Sequence, residues 1–280
     1  IEDGFIRSSG LGADLIEPIS LIFDNIGIYF DSTRPSLLEE IIKSQLLAPE
    51  EIERARILRE KIVNYNLTKY NVDSKKCSIG SINKKVILVV GQVEEDASIQ
   101  YGSPKVKTNL DLIKIVRNEN QDAHIIYKPH PDIIAKLRKQ ITKNQYLKKY
   151  CDEIIHNVSV SSLYAKIDEL HTMTSLMGFE ALLRGTKVVC YGMPFYAGWG
   201  LTEDKLKCER RDRKIVLDEL VFASLITYSK YMHPIRKMFI TPEEAIDFLL
   251  EEREKRPKKK NIYRKFMRFI MAIINNIKRK

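Results

Sequence analysis

Lys128-Pro129-His130-Pro131-Asp132 follows the apolar run Ile125-Ile126 and brings a cation, an imidazole and a carboxylate to the end of a strand. A residue before proline is driven to extended backbone, so Lys128 and His130 are held out, while Pro131 suits the first turn of a helix over 131–141. His130 is thereby aimed at a helix N-terminus, where backbone N–H groups and the dipole favour an anion such as phosphate. A capping turn with an incidental histidine accounts for the segment equally well. Glu94, Glu95 and Asp96 crowd the loop that begins Gly91-Gln92-Val93, and Glu2-Asp3-Gly4 supplies a second acidic pair. A carboxylate in either place can serve as nucleophile, or as general acid/base once a hydroxyl comes within hydrogen-bond reach. A solvated acidic loop is the plainer alternative.

Thr174 and Ser175 stand where a strand gives way to the helix Gly178-Phe179-Glu180-Ala181-Leu182. Either hydroxyl can cap that helix or help to hold a phosphate, and Glu180 could accept from ribose hydroxyls. The stretch YGMPFYAGWGLT, 191–202, holds the only tryptophan, Trp199. Its aromatic rings could stack on a base or sugar, or pin the loop to the core.

These segments need a frame that brings them together. VILVVG (86–91), HIIY (124–127), EIIH (153–156), ELHTM (169–173) and KVVCY (187–191) are short apolar runs separated by helical stretches such as NLDLIKIVRNE. That alternation predicts a parallel sheet covered on both faces, a Rossmann-like doubly wound α/β domain. Ligands of such sheets lie beyond the carboxyl ends of the strands, so the four unusual segments are expected on one rim. Residues 36–65 alternate apolar and charged positions with a break near Ala48-Pro49 and read as two helices. The expected division is a first segment over 1–75, a nucleotide-binding domain over 76–250, and a tail over 251–280.

The formal charge is +10, yet residues 253–280 carry twelve Lys or Arg against the single acid Glu254, so the remaining 252 residues sum to about −1. A basic nucleic-acid-binding body is excluded on that ground. In the tail, Lys258–Lys260 precede a stretch with Ile262, Phe266, Phe269, Ile270, Ile273 and Ile277 on one helical face. It is too short in apolar residues to span a bilayer, and its pattern suits an anionic membrane surface; docking on the protein itself is the alternative. Cys77, Cys151, Cys190 and Cys208 show no zinc-ligand spacing and are expected as reduced thiols in the cytoplasm. The opening Ile1-Glu2-Asp3-Gly4 lacks the features of a signal peptide and is expected to be part of something longer.

Taken in order, EDGFIRSSGLGADL, PISLIFDNIGIYFDSTRPS, LTKYN, GQVEEDASIQYGSP, YKPHPD, TMTSLMGFEALLRG and YGMPFYAGWGLT resemble the capsule polysaccharide β-Kdo transferases of Gram-negative bacteria. The likeness runs from residue 1 to about 235 and is greater to the second of the two transferase modules of these proteins. The resemblance implies a GT-B-like glycosyltransferase with a Rossmann-like nucleotide domain, here with an N-terminally truncated acceptor domain. It implies transfer of Kdo from CMP-Kdo to a Kdo-bearing lipid acceptor, with retention and with neither metal nor cofactor. It also implies a place on the inner face of the inner membrane, beside other capsule-assembly proteins. On this likeness Asp96 is the nucleophile and Glu2 or Asp3 the acid/base. Gln92, Lys128, His130, Pro131, Thr174, Ser175, Gly178, Phe179 and Glu180 would bind the donor.

Overall fold

Val86–Val90 is buried at all five positions, as a strand covered on both faces requires. In the computed structural model, which describes residues 1–8, 16–69, 71, 80, 82–134, 138, 141–156 and 158–255, it lies inside a six-stranded sheet. In chain order the strands are β1 Glu2–Asp3, β2 Ser20–Ile22, β3 Val86–Val90, β4 His124–Lys128, β5 Glu153–Ile154, β6 Glu169–Thr172, β7 Lys187–Cys190, β8 Glu203–Asp204, β9 Ser229–Met232 and β10 Phe239–Ile240. The α-helices are α1 Leu37–Ser44, α2 Pro49–Asn64, α3 Ala97–Gly102, α4 Asn109–Glu119, α5 Pro131–Ile134, α6 Asn144–Leu147, α7 Val160–Tyr164, α8 Leu176–Leu182, α9 Leu217–Val221 and α10 Pro242–Lys255.

The large sheet runs β5-β4-β3-β6-β7-β8 with every neighbouring pair parallel. From β3 the chain winds outward through β4 and β5, then returns to lay β6 against the other side of β3. The switch point therefore falls between β3 and β6, where a crevice opens at the carboxyl ends of the strands. Strand pleat sorts the core into two layers. Val86, Leu88 and Val90 face a large apolar cluster with Phe179, Tyr196, Trp199 and Tyr228. Ile87 and Val89 face the opposite one, with Leu112, Val116 and Ile125. The doubly wound arrangement expected from the apolar runs is present, and the helix NLDLIKIVRNE occupies 109–119. The helix expected over 131–141 is described as α5 only to Ile134.

A second sheet, β1-β2-β9-β10, is antiparallel and joins the two ends of the chain. Its strands come from both sides of the boundary drawn at 75. Helices bind the same ends together. In α2, Pro49 fills the first turn, Ala55, Leu58 and Ile62 form the buried stripe, and Arg59 pairs with Asp218 of α9 at 2.7 Å. In α1, Ser36 caps by accepting from Glu39 N, and Leu38 and Ile42 are buried. Cys151, Cys190 and Cys208 are free thiols. The basic tail from residue 256, with the proposed apolar face from Ile262 to Ile277, lies outside the described residues, as does Cys77. Among the described residues no helix is long and apolar enough to cross a membrane.

Candidate active site

A cleft of about 360 Å³ opens at the carboxyl ends of β3, β4 and β6. All four rim segments reach it: Gln92 and Asp96 follow β3, Lys128, His130 and Pro131 end β4, Thr174 and Ser175 follow β6, and Phe195 comes from the aromatic loop. Glu2 and Glu180 also line it. Among the described residues no group of His, Cys, Asp and Glu is placed to hold a metal ion.

Gln92 spans the switch point. Its Oε1 accepts from Thr174 N at 2.9 Å and Thr172 Oγ1 at 3.2 Å, and its Nε2 donates to Thr174 Oγ1 at 2.9 Å. The buried amide thus locks the ends of β3 and β6 together and leaves the Thr174 hydroxyl with a proton to donate. Ser175 accepts from Met177 N at 3.2 Å and is the N-cap of α8.

Glu94 and Asp96 of the first loop go to different places, and Glu95 is exposed. Glu94 is buried and accepts from Asn109 N at 2.8 Å and Asn109 Nδ2 at 3.0 Å, fixing the loop to the start of α4. Asp96 is exposed on the cleft and caps α3, its Oδ1 accepting from Ser98 N at 2.9 Å and Ser98 Oγ at 2.7 Å. The second oxygen, Oδ2, is left for other chemistry.

His130 does two things at once. Its Nδ1 accepts from Asp132 N at 3.1 Å, which caps α5. A backbone N–H can only donate, so this bond selects the tautomer with the proton on Nε2. Burial pushes the imidazole below its ordinary 6.5, against the pull of Asp132 and Asp96, and Lys69 and Lys128 push the same way as burial. The ring is a neutral donor at neutral pH. Lys128 is buried, donates to His156 O at 3.4 Å, and has its pKa lowered by desolvation. A partly desolvated ammonium gains most from an anionic ligand.

Because the unfolded chain takes up the His130 proton near 6.5 and the folded site resists it, stability is full above that value and falls as the pH drops below it. His171, buried beside Glu169, is shifted the same way, so the comparison must be made with a variant. In His130→Asn the amide oxygen can still cap α5 but has nothing to titrate. Urea unfolding at about pH 7.5 and about pH 5.5 should show a smaller acid loss in the variant than in the wild type.

Other expected site residues have different duties. Asp3 does not line the cleft and turns to the buried Arg7, with which it forms an ion pair. Gly178 and Phe179 lie behind the cleft wall. A Cβ on Gly178 would sit 2.1 Å from Tyr196 Oη, which donates to Ser175 O at 2.5 Å, so this glycine lets the ring close against α8. Phe179 is 2% exposed and stacks in the aromatic core near Phe5, Phe195 and Tyr196. Glu180 reaches the cleft with both oxygens already accepting, from Lys69 N at 2.8 Å and Tyr164 Oη at 3.0 Å. Burial raises its pKa. Its first task is therefore to fix the 67–69 loop rather than to await a ribose. Trp199 and Tyr196 are fully buried, so the aromatic loop is pinned to the core and only Pro194 and Phe195 reach the ligand space.

The residue that inspection of single segments passed over is Lys69, which lines the same cleft as His130 from a loop bonded to Glu180 of α8. Its signal was present in LTKYN, a segment with neither apolar periodicity nor a second charged residue to suggest a role.

Comparison with known proteins agrees with this architecture. The family model described as "Capsule polysaccharide biosynthesis protein" matches residues 1–71 and 52–239. The chain is 44% identical over 264 residues to the capsule polysaccharide modification protein LipA of Neisseria meningitidis serogroup B, covering 94% of this chain and 38% of the relative. It is 44% identical over 236 residues to the lipopolysaccharide-processing protein LpsZ of Rhizobium meliloti, covering 82% and 53% of the two chains. The chain thus spans between a third and about half of these relatives. Among solved structures, KpsC β-Kdo 2,7 transferase of Thermosulfurimonas dismutans superposes with a TM-score of 0.77 at 45% identity, over 91% of this chain and 77% of that one. KpsC β-Kdo 2,4 transferase from the same organism gives 0.81 at 34% identity, over 89% and 78%. The GT-B-like α/β fold expected from the sequence is the fold observed, and the chain belongs to the capsule polysaccharide biosynthesis protein family.

Proposed function

We propose that this chain carries the donor site of a retaining β-Kdo transferase that takes Kdo from CMP-Kdo and passes it to a Kdo-bearing glycolipid in capsule assembly. The observation that carries the reading is the switch-point cleft. It gathers a carboxylate with one uncommitted oxygen, Asp96, with the cationic and neutral donors Lys128, His130 and Thr174, in a chain 45% identical to a β-Kdo 2,7 transferase.

Retention follows most simply from two inversions. In the first, Asp96 Oδ2 attacks the anomeric carbon of the sugar as the bond from that carbon to the phosphate oxygen breaks, and CMP leaves with the electron pair. Lys128, the Nε2–H of His130 and the Thr174 hydroxyl are the donors that meet the charge developing on the phosphate. In the second, an acceptor hydroxyl attacks the same carbon from the opposite face and releases the Asp96 carboxylate. Its proton passes to a base on the other wall. Glu2 lines the cleft and is preferred for that role over Asp3, whose carboxylate is engaged by Arg7.

Incubation with CMP-Kdo and a Kdo-terminated acceptor should release CMP and give a β-linked product. CMP binding without turnover would instead mark a nucleotide-binding capsule protein. His130→Asn should weaken CMP binding by about tenfold or more, the scale of one hydrogen bond to a charged group. Unchanged affinity in calorimetry would leave the histidine as a cap alone.

The glycolipid acceptor places the reaction at a membrane, on this reading the inner face of the inner membrane. The basic tail, 258–280, is the proposed contact. Deleting it should release the protein from anionic vesicles in co-sedimentation while CMP binding persists. Retained vesicle binding would move the anchor elsewhere.

A further inference from the structure

The loop that carries Lys69 is held at both faces of its backbone. Lys69 N donates to Glu180 Oε1 at 2.8 Å, and Lys69 O accepts from Arg7 N at 3.0 Å and Ser8 N at 3.2 Å. A side chain issuing from so fixed a point is delivered to one place in the cleft, on the wall built by the N-terminal segment and α8. Lys69 is near enough for its charge to act on His130, while Asp3, Glu180 and Glu2 favour its own ammonium and Arg7 opposes it. Burial lowers its own pKa, so its ammonium gains from an anion that enters.

Lys128 and His130 already form a cationic and hydrogen-bonding wall at the end of β4. A third basic group on the other wall is more than one phosphate needs. Resting on the CMP-Kdo reading above, we propose that Lys69 is a carboxylate subsite, holding the acid group on the anomeric carbon of the donor sugar. In a 2-keto acid sugar that carbon bears both the carboxylate and the phosphate ester, so the donor presents two anions one carbon apart. Two basic groups held by different elements of the cleft, Lys128 at the end of β4 and Lys69 beside α8, match that pair. Lys69 and Glu2 line the same cleft, so a sugar held by Lys69 would have its reacting carbon between the nucleophile and the acceptor base. Pairing the sugar carboxylate with an ammonium removes the repulsion that the Asp96 carboxylate would otherwise meet on approach.

The test uses the full chain and three ligands: CMP, a fluorinated CMP-Kdo that resists transfer, and the same analogue with its carboxylate replaced by a hydroxymethyl group. Lys69→Met keeps the backbone bonds of the loop and should weaken the fluorinated donor by about tenfold, the scale of one charge-assisted hydrogen bond. It should leave CMP within about twofold, and bind the hydroxymethyl analogue as the wild type does, so that the two changes are not additive. Lys69→Arg should recover part of the donor affinity, with melting temperatures confirming that all variants fold. Equal weakening of all three ligands by Lys69→Met would make the residue a phosphate ligand or a scaffold and overturn the proposal, as would no weakening at all. A wild type that binds the fluorinated donor no better than CMP or the hydroxymethyl analogue removes the carboxylate subsite. If it also fails to bind CMP, the donor reading itself falls.

Discussion

Asp96→Asn is expected to lower Kdo transfer by about a thousandfold or more while CMP affinity stays within about twofold, the pattern of a group needed only in the reacting state. Asparagine is the informative replacement. Asp96 Oδ1 caps α3 through Ser98 N and Ser98 Oγ, and alanine would lose that cap, about 1 kcal/mol, together with the proposed nucleophile. Asparagine caps as well as aspartate but cannot form the glycosyl ester, so loss of activity with an unchanged melting temperature isolates the chemistry. Mass spectrometry of the wild type with donor alone should trap a sugar adduct on the peptide containing Asp96. Transfer by the variant at near wild-type rate would assign the nucleophile elsewhere.

The same residue shows what could be read from the sequence and what could not. The parallel sheet was legible because its central strands are buried on both faces and must be written as uninterrupted apolar runs, as in Val86–Val90. Once the runs were aligned, the rule that ligands bind beyond their carboxyl ends led to Asp96, Lys128, His130 and Thr174, and these do share a cleft. For His130 the two readings of the motif were not rivals, since one ring nitrogen caps the helix and the other keeps its proton. The antiparallel sheet was not legible. Strands of two to four residues such as Glu2–Asp3 and Phe239–Ile240 have no periodicity to detect, and the central pairing of β2 with β9 joins positions more than two hundred residues apart. Gly178, Phe179 and Asp3 sit in segments that touch the site but serve packing or an ion pair, a distinction set by side-chain direction rather than by residue type.

The largest stability effect is expected at a residue with no part in the chemistry. Glu39 in α1 is 4% exposed, and its carboxylate accepts from Arg211 Nε at 2.8 Å and Arg210 Nε at 3.1 Å, residues 172 and 171 positions away. Arg211 is 6% exposed, donates to Pro194 O at 2.5 Å and Ala197 O at 2.7 Å, and lies over the Trp199 ring at 5.7 Å. The pair thus ties the N-terminal helix to the aromatic loop that presents Phe195 to the cleft. Glu39→Ala leaves a buried guanidinium with its carbonyl bonds but without its paired carboxylate, which should cost roughly 3–5 kcal/mol in urea unfolding. The effect belongs to the stranded charge and not to the pair. Glu39→Leu combined with Arg211→Met should therefore be less destabilised than Glu39→Ala alone, because two apolar side chains of similar volume replace an ion pair at little net cost. The double variant removes the bonds to Pro194 O and Ala197 O, so the loop bearing Phe195 should loosen even as overall stability recovers. CMP-Kdo should then bind more weakly to the double variant than to the wild type. Equal destabilisation in the single and double variants would mean that the loop bonds of Arg211, rather than its charge balance, hold this part of the fold.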